Sequence, residues 1–174
     1  MSSVLIRPLK PSDFEDLAEG FFSFFPEAEA DPSFGLSLYR QPPTIEDEHK
    51  WFAGVLHDLE AGNLVSVVAE VDSRVVGNCI VRRKSPGTPL DHVGSLGLWI
   101  RKEYRGRGIG TMLMKATIDG CRGKFEAIEL TVLATNERAM RLYSKFGFRR
   151  IGTLPKALKR AGSYFDDDLM YLEL

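Results

Sequence analysis

The chain has 174 residues, of which 44% are hydrophobic, and its 23 basic and 24 acidic residues leave a net charge of -1. This length suits one domain with a sizeable core, and this apolar content excludes an intrinsically disordered chain. The balanced charge gives no field that would favour nucleic acid, and no apolar run reaches the roughly 18 residues that would indicate a membrane span.

The first half of the chain predicts helices followed by strands. Residues 4–7 have a short strand pattern, and a first helix containing Phe14 and Leu17 follows a Pro-Ser-Asp turn. The segment 21–43 holds four prolines and has no usable period, so we expect a loop or a set of short turns there. Thr44 is expected to begin a second, amphipathic helix.

A predicted hairpin then leads into alternating strands and helices. Two β-branched runs, at 64–71 and 75–81, are separated by three polar residues, which is typical of a tight hairpin. The predicted order after it is strand 93–100, helix 108–120, strand 127–133, helix 136–146, and short terminal strands at 148–151 and 164–172. This alternation indicates a βαβα crossover with parallel strands, within a single α/β domain over residues 1–174.

A glycine-rich turn joins the strand at 93–100 to the helix after it, and it reads Arg-Gly-Arg-Gly-Ile-Gly from Arg105. A helix start carries unpaired N–H groups and a partial positive charge, so it binds phosphate where side chains do not block the backbone. A dinucleotide fingerprint would need glycine at Thr111 or Leu113, and a P-loop would need a Lys-Ser/Thr pair that is absent. The turn therefore indicates a phosphate site unlike those for NAD or ATP, or simply a strand-to-helix turn with solvated arginines.

Residues 96–152 read LGLWIRKEYRGRGIGTMLMKATIDG and, further on, IELTVLATNERAMRLYSKFGFRRIG. This segment resembles the acetyl-CoA half of the GNAT superfamily of acetyl-CoA-dependent N-acetyltransferases. The resemblance implies an α/β fold with a central, mixed and mostly antiparallel sheet of about six to seven strands, flanked by about four helices. It also implies a splay between strands 4 and 5, and Gly94 and Gly97 would suit a bulge there.

The same resemblance implies a binding site for acetyl-CoA and no metal. Asn136 would contact the cofactor arm, and Tyr143 would protonate the departing CoA thiolate, unless Tyr143 is only a member of the core. The N–H of Leu98 would polarise the thioester carbonyl. The cofactor-binding residues implied in this way are Leu98, Trp99, Ile100, Arg105, Gly106, Arg107, Gly108, Ile109, Gly110, Thr111, Asn136 and Tyr143.

The general base is the point at which the sequence departs from many members of the family. They carry a Glu on the strand before the glycine turn, whereas this strand has no carboxylate. His92 stands near its start and is a candidate base, since its unperturbed pKa suits the task. The alternatives are a structural histidine and water-mediated proton transfer to Asp91, Glu70 or a backbone carbonyl.

The acceptor of this reaction would be a primary amine, either a small molecule or a protein N-terminus. Phe25 and Glu27 in the segment 21–43, and Tyr164 beside the acidic run 166–168, are candidates for binding it. Alternatively, the aromatic residues belong to the core and the acids are solvated. Neutralising an α-amine at pH 7 costs only about 1 kcal/mol, against about 4 to 5 kcal/mol for a lysine, so an α-amine suits a weak base better.

Cysteine usage and the N-terminus bear on location and partners. Cys79 and Cys121 fit neither a metal-binding nor a disulfide spacing, and the first residues lack the apolar run of a signal peptide. We therefore expect a cytoplasmic protein without a nucleic-acid or membrane partner. The oligomeric state stays open, a homodimer included, and a catalytically idle acetyl-CoA sensor is the alternative to an enzyme.

Overall fold

The computed structural model describes residues 3–36 and 39–174. In this part of the chain seven strands form one sheet: β1 (Leu5–Pro8), β2 (Leu64–Val71), β3 (Arg74–Arg83), β4 (Val93–Ile100), β5 (Ala127–Leu133), β6 (Arg149–Arg160) and β7 (Ser163–Glu173). Their order is β1-β2-β3-β4-β5-β7-β6, and β4 and β5 form its parallel pair. The predicted mixed, mostly antiparallel sheet with a parallel crossover is therefore confirmed.

The helices pack on both sides of the sheet. The described α-helices are α1 (Phe14–Phe22), α2 (Phe24–Ala30), α3 (Ile45–Glu60), α4 (Ile109–Cys121) and α5 (Glu137–Lys145). Thr44 caps α3 as predicted, because its hydroxyl accepts a hydrogen bond from Asp47 N. Within the described ranges, each helix is too short or too polar to cross a bilayer.

Alternating side chains divide the core into two layers. Val67 packs with α4, around the fully buried Leu113, whereas Val68 packs with α1 and α3. Successive residues of a strand point to opposite faces, so these two valines define the faces of the whole sheet. We refer to the side covered by α4 and α5 as the α4 face, and to the other as the α1 face.

The segment 21–43 is more regular than predicted. α1 continues to Phe22 and α2 follows it directly, so the expectation of a loop or short turns is wrong for residues 21–30. Pro26 does not prevent this helix, because it lies in the first turn of α2, where its missing N–H would have had no helical partner. The rest of the segment, where it is described, is not helical.

The terminal strands are longer than the sequence pattern predicts. β6 runs to Arg160 and β7 begins at Ser163, so the two make one extended hairpin rather than two short strands. β6 lies at the sheet edge and is largely exposed, so it lacks the alternation of apolar residues that marks a half-buried strand. The hairpin carries β7 to the side of β5, next to the parallel pair.

The parallel pair is joined at one end only. β4 and β5 pair at Val93, Gly94 and Ser95, and then separate, while β4 stays paired with β3 as far as Ile100. The expected bulge is absent from this stretch, since β3 and β4 pair from Gly94 to Ile100 without a register shift. A Cβ on Gly94 would instead overlap Val81, so this glycine is needed for close packing. The splay comes from divergence of β4 and β5 after Ser95.

Candidate active site

The separation of β4 and β5 opens a cleft of about 670 Å³. Its lining includes residues 96–100 of β4, 131–133 of β5, 104–106 and 108–111 at the start of α4, 33–36 after α2, and one side of α5. Both diagnostic motifs of the sequence therefore meet in one concave site. Concave sites of this size are typical of small-ligand binding.

The backbone of β4 turns polar groups towards the cleft. Arg101 N donates to Val76 O, which makes Gly77 and Ile100 a non-hydrogen-bonded pair of the antiparallel ladder. Hydrogen-bonded and non-hydrogen-bonded pairs alternate along an antiparallel ladder, so Leu98 is also in a non-hydrogen-bonded pair. The N–H and C=O groups of Leu98 and Ile100 therefore point away from β3. They face the gap that β5 has left, and their N–H groups are available to a ligand there.

The glycine turn leaves the start of α4 open. Gly106 and Gly108 have φ angles of 82° and 80°, a left-handed conformation that other residues adopt only with strain. Within the described chain no side chain caps this helix, whereas Asn136 Oδ1 caps α5 by accepting from Ala139 N. Thr111 N donates to Gly108 O at 3.0 Å, whereas the amides of Ile109 and Gly110 have no acceptor among the described residues, as an anion site requires.

Arg105 is bound to the protein rather than free in the cleft. Its guanidinium makes two hydrogen bonds to Glu27, of 2.7 and 2.9 Å, and its Nε donates to Ile100 O at 2.8 Å. The guanidinium also lies 5.4 and 5.5 Å from the ring centres of Phe24 and Phe34. Arg105 therefore fixes α2 against the glycine turn, and Glu27 is neutralised instead of attracting an amine.

The second arginine of the turn also differs from its expected position. Arg107 packs over the ring of Tyr104 at 5.1 Å and does not line the cleft. Arg138 of α5 lines it instead, and its Nη2 lies 3.7 Å from where a Cβ on Gly106 would stand. Sequence reasoning missed Arg138, although its place two residues after Asn136 was a usable signal.

Asn136 and Tyr143 both line the cleft. The side chain of Asn136 caps α5 and also abuts Gly35, where a Cβ would overlap it. Tyr143 is only 7% exposed and packs in the core of the α4 face. Burial, with a smaller contribution from Cys79, raises the pKa of Tyr143 above its ordinary value, so the phenol keeps its proton at neutral pH.

The structure does not bring the candidate bases to the cleft. His92 precedes β4 and lies six residues from Leu98, which is about 20 Å along an extended strand. It lines a small surface hollow together with Asp91. Glu70 is paired with Arg7 Nε at 2.7 Å. His92 thus lies next to the end of β4 at which β4 and β5 are still joined, away from the cleft.

Two of the predicted acceptor-binding residues also lie elsewhere. Phe25 packs edge-on against Phe21, with ring centres 5.6 Å apart, and Tyr164 is 53% exposed beside two lysines. Two other aromatic residues, Phe24 of α2 and Phe34 of the segment after it, line the cleft instead. The sequence did not reveal which face of α2 points to the cleft. In the structure Phe24 points to the cleft, and Phe25 points to Phe21.

Residues 31–36 form a loop over one end of the cleft, and the β6–β7 hairpin holds this loop in place. Arg160, at the end of β6, donates to the carbonyl oxygens of Pro32, Phe34 and Leu36 at 3.2, 3.0 and 2.6 Å. The 31–36 loop is therefore anchored by a residue far along the chain.

Two carboxylates line the cleft within the described residues, Asp31 and Asp167. Asp31 accepts hydrogen bonds from both Ser33 N and Ser33 Oγ, which lowers its pKa. Asp167 lies on β7 opposite Leu133 of β5. Burial and the neighbouring charge of Asp168 raise the pKa of Asp167.

Comparison with known proteins agrees with this geometry. An L-amino acid N-acetyltransferase of Escherichia coli K12, AaaT, is 27% identical over 169 residues, which are 95% of each chain. An N-alpha-acetyltransferase of Saccharolobus solfataricus is 30% identical over 138 residues, 74% of this chain and 78% of that one. A phosphinothricin acetyltransferase of Sinorhizobium meliloti, solved with acetyl-CoA, has a TM-score of 0.83 at 18% identity and covers 100% of this chain and 89% of that chain.

The profile of the Acetyltransferase (GNAT) family matches residues 15–148. This range contains the splayed strands, the glycine turn and α5, which are the parts that build the cleft. The resemblance predicted from the sequence is thus confirmed, and the chain belongs to the GNAT family of acetyltransferases.

Proposed function

We propose that this chain transfers an acetyl group from acetyl-CoA to an α-amino group, by direct transfer in a ternary complex. The observation that carries the proposal is the open cleft between β4 and β5, which ends at an uncapped helix start. A long thioester arm fits the gap between two separated strands, and a diphosphate fits the free amides beyond it.

The main chain would do most of the binding. The free amides of the glycine turn and of Ile109 and Gly110 at the start of α4 would hold the diphosphate. The outward-facing groups of Leu98 and Ile100 would pair with the arm, as a neighbouring strand would. Arg138 supplies a cation beside Gly106, since Arg105 is committed to Glu27.

The N–H of Leu98 would stabilise the negative charge that develops on the thioester oxygen. Loss of one such donor typically costs about 3 kcal/mol of transition-state stabilisation. The donor is preorganised here, because pairing with β3 fixes the strand on its other side. Side-chain substitution of Leu98 would leave this N–H in place, so the contribution belongs to the strand geometry.

Tyr143 would give its proton to the departing sulfur. Cys79 lies opposite Leu98 in the sheet and close enough to Tyr143 to influence its pKa. It shows how burial at this place changes the pKa of a thiol. Burial raises the pKa of the Cys79 thiol to about 12. Burial disfavours a free thiolate, so the departing sulfur needs an acid, and the phenol of Tyr143 keeps its proton at neutral pH and can supply one.

Direct transfer is favoured over an acetyl-cysteine relay. Cys79 and Cys121 are both fully buried, and burial raises the pKa of each thiol to about 12. A relay needs a thiolate that the thioester can reach, and both thiols stay protonated at neutral pH. The acceptor amine must therefore attack the thioester itself.

The choice of an α-amine rests on two supports. Two relatives that span most of the chain are named for L-amino acids and for N-alpha acetylation. In addition, an α-amine of pKa about 8 is neutralised at pH 7 for about 1 kcal/mol, whereas a lysine needs about 4 to 5 kcal/mol. A site whose β4 lacks a carboxylate suits the easier amine.

The test is release of CoA thiol across a panel of acceptors. The panel contains free L-amino acids, short peptides with free N-termini, a polyamine, and Nα-acetyl-lysine, in which only the side-chain amine is free. We expect transfer to α-amines and little to Nα-acetyl-lysine. Faster transfer to Nα-acetyl-lysine would overturn the acceptor class, and acetyl-CoA binding without transfer to any acceptor would favour the sensor alternative.

A further inference from the structure

Asp167 points to the α1 face of the sheet at the edge of the cleft. On β5, Leu130 and Val132 belong to the core of the α4 face. Successive residues of a strand alternate between faces, so Leu133, the residue after Val132, points to the α1 face. Asp167 is the residue directly opposite Leu133 in the β5–β7 ladder, and directly opposite residues share a face. The side chain therefore lies on the side of α1 and α2.

Tyr143 lies on the other side of the same gap. It packs in the core of the α4 face, together with Leu98. Trp99, the next residue of β4, packs on the α1 face against Phe24. A thioester lying in the gap along β4 would have Tyr143 on one side and Asp167 with Phe24 on the other. An amine attacks one face of the planar thioester, so an acceptor that enters from the α1 face would have Asp167 on its own side and Tyr143 on the other.

Asp167 is an acid of the cleft whose carboxylate has no partner in the described part of the chain. Among the described residues no hydrogen bond or ion pair engages its carboxylate, although both of its neighbours are engaged. Asp166 Oδ1 accepts from Lys156 N at 2.7 Å, and Asp168 accepts from Thr153 Oγ1 at 2.6 Å. The other acid of the cleft, Asp31, is already bound to Ser33. Of the acids that line the cleft in the described part of the chain, Asp167 is the one with a free carboxylate to offer an incoming ammonium group.

We propose that Asp167 is the general base of this enzyme, accepting a proton from the acceptor's ammonium group on the α1 face of the cleft. The proposal rests on the proposed function, and it replaces the base that β4 lacks. It also identifies the acceptor as an amine that enters as a cation, attracted by the carboxylate before it is deprotonated.

The transfer releases one proton in total, and two residues handle the protons of the amine and the sulfur. Asp167 takes one proton from the ammonium nitrogen and holds it while the neutral amine attacks, and it releases this proton to solvent after the amide has formed. The nitrogen forms a bond to the acetyl carbon, and the carbon–sulfur bond breaks. Tyr143 protonates the sulfur, and the second proton that the nitrogen loses returns to the tyrosinate through solvent. The products are the amide, the CoA thiol and one proton.

The surroundings of Asp167 suit this role. Partial burial and the charge of Asp168 raise its pKa, which brings the carboxyl group closer to the pH at which it must exchange protons. The other charged groups of the cleft are Asp31 on the 31–36 loop, Arg105, which Glu27 neutralises, and Arg138, at the pyrophosphate end. Arg160, which holds the 31–36 loop, acts on Asp31, whereas the charged group that acts on Asp167 is another carboxylate, Asp168.

The test compares Asp167→Asn with the wild type, using an α-amine acceptor that the wild type acetylates. We expect kcat/KM near pH 6 to fall by about 10²-fold, the lower range for a lost general base. The variant must use the small neutral fraction of the amine, so its kcat/KM should rise about tenfold per pH unit up to the amine pKa of about 8. The wild-type value should change much less over this range.

Two controls separate loss of the base from loss of the fold. Glu173→Gln makes the same charge change at an exposed position of β7, and it should leave the rates unchanged. The acetyl-CoA Kd and Tm of Asp167→Asn should not be worse than those of the wild type. An equal kcat/KM, or a loss that is the same at every pH, would overturn the base while leaving the proposed function standing. A wild type that transfers acetyl to no amine would overturn both.

Discussion

Replacing Glu27 by Gln tests whether this residue holds the fold together or binds the acceptor. The carboxylate makes two hydrogen bonds to Arg105, and the two side chains are 14% and 25% exposed. Loss of one partner from a fully buried ion pair costs about 3 to 5 kcal/mol, and an exposed pair contributes at most about 1 kcal/mol. For this partly exposed pair we expect a loss of about 2 kcal/mol in the free energy of unfolding.

For a chain of this size, a loss of about 2 kcal/mol corresponds to a fall in Tm of about 4 to 8 °C. Thermal unfolding followed by circular dichroism measures it directly. Glu29→Gln is the matched control, since Glu29 is an exposed residue of the same helix, and its Tm should stay within about 1 °C of the wild type. Adding Arg105→Gln to Glu27→Gln should cost less than the two single changes summed, because they remove one shared interaction.

The kinetic result decides between the two roles. As a structural residue, Glu27 should affect KM for acetyl-CoA through the position of the glycine turn, and it should leave KM for the amine nearly unchanged at temperatures well below Tm. An unchanged Tm combined with a raised KM for the amine would refute the reasoning. It would return Glu27 to the acceptor-binding role that its sequence position suggested.

Three further variants test other parts of the site. Tyr143→Phe should lower kcat by about 10²-fold with little change in the acetyl-CoA Kd, measured by calorimetry, because it removes an acid and not a binding group. Gly108→Ala should weaken acetyl-CoA binding by about tenfold or more, since strain at φ 80° shifts the amides that hold the diphosphate. Gly87→Ala, at φ 74° in a loop away from the cleft, carries similar strain and should not affect binding. Asp167→Asn should raise Tm at pH 7, because a raised pKa means that the fold disfavours the ionised carboxylate. This gain should vanish as the pH falls below about 3.9, the unfolded value, where the wild-type carboxyl is protonated in both states.

The sequence predicted those parts of the site that depend on the backbone. The strand at 93–100, the helix after it and the open glycine turn follow from local pattern, because glycine spacing and hydrophobic periodicity act over a few residues. Asn136 and Tyr143 reach the cleft for a similar reason, since one short helix carries both of them. These features would survive most changes elsewhere in the chain.

Side-chain partners across the chain were beyond local pattern. Arg105 looked available for phosphate, and its partner Glu27 lies 78 positions away on a helix whose phase the four aromatic residues at 21–25 obscured. The acidic run 166–168 was noted beside Tyr164 as a candidate for binding the amine, but the sequence does not tell its three acids apart. Of the three consecutive acids at 166–168, only the strand register shows that Asp167 faces the cleft and that its neighbours are engaged elsewhere.

Arg160 ties the position of the 31–36 loop, which lies over one end of the cleft, to the distant β6–β7 hairpin. Three carbonyl oxygens of the 31–36 loop are held by this one guanidinium, more than 120 positions later in the chain. A deletion or insertion in the β6–β7 hairpin that displaced Arg160 would release all three at once and reshape that end of the cleft. A change of sequence in either segment therefore has consequences for the other, although they lie far apart in the chain.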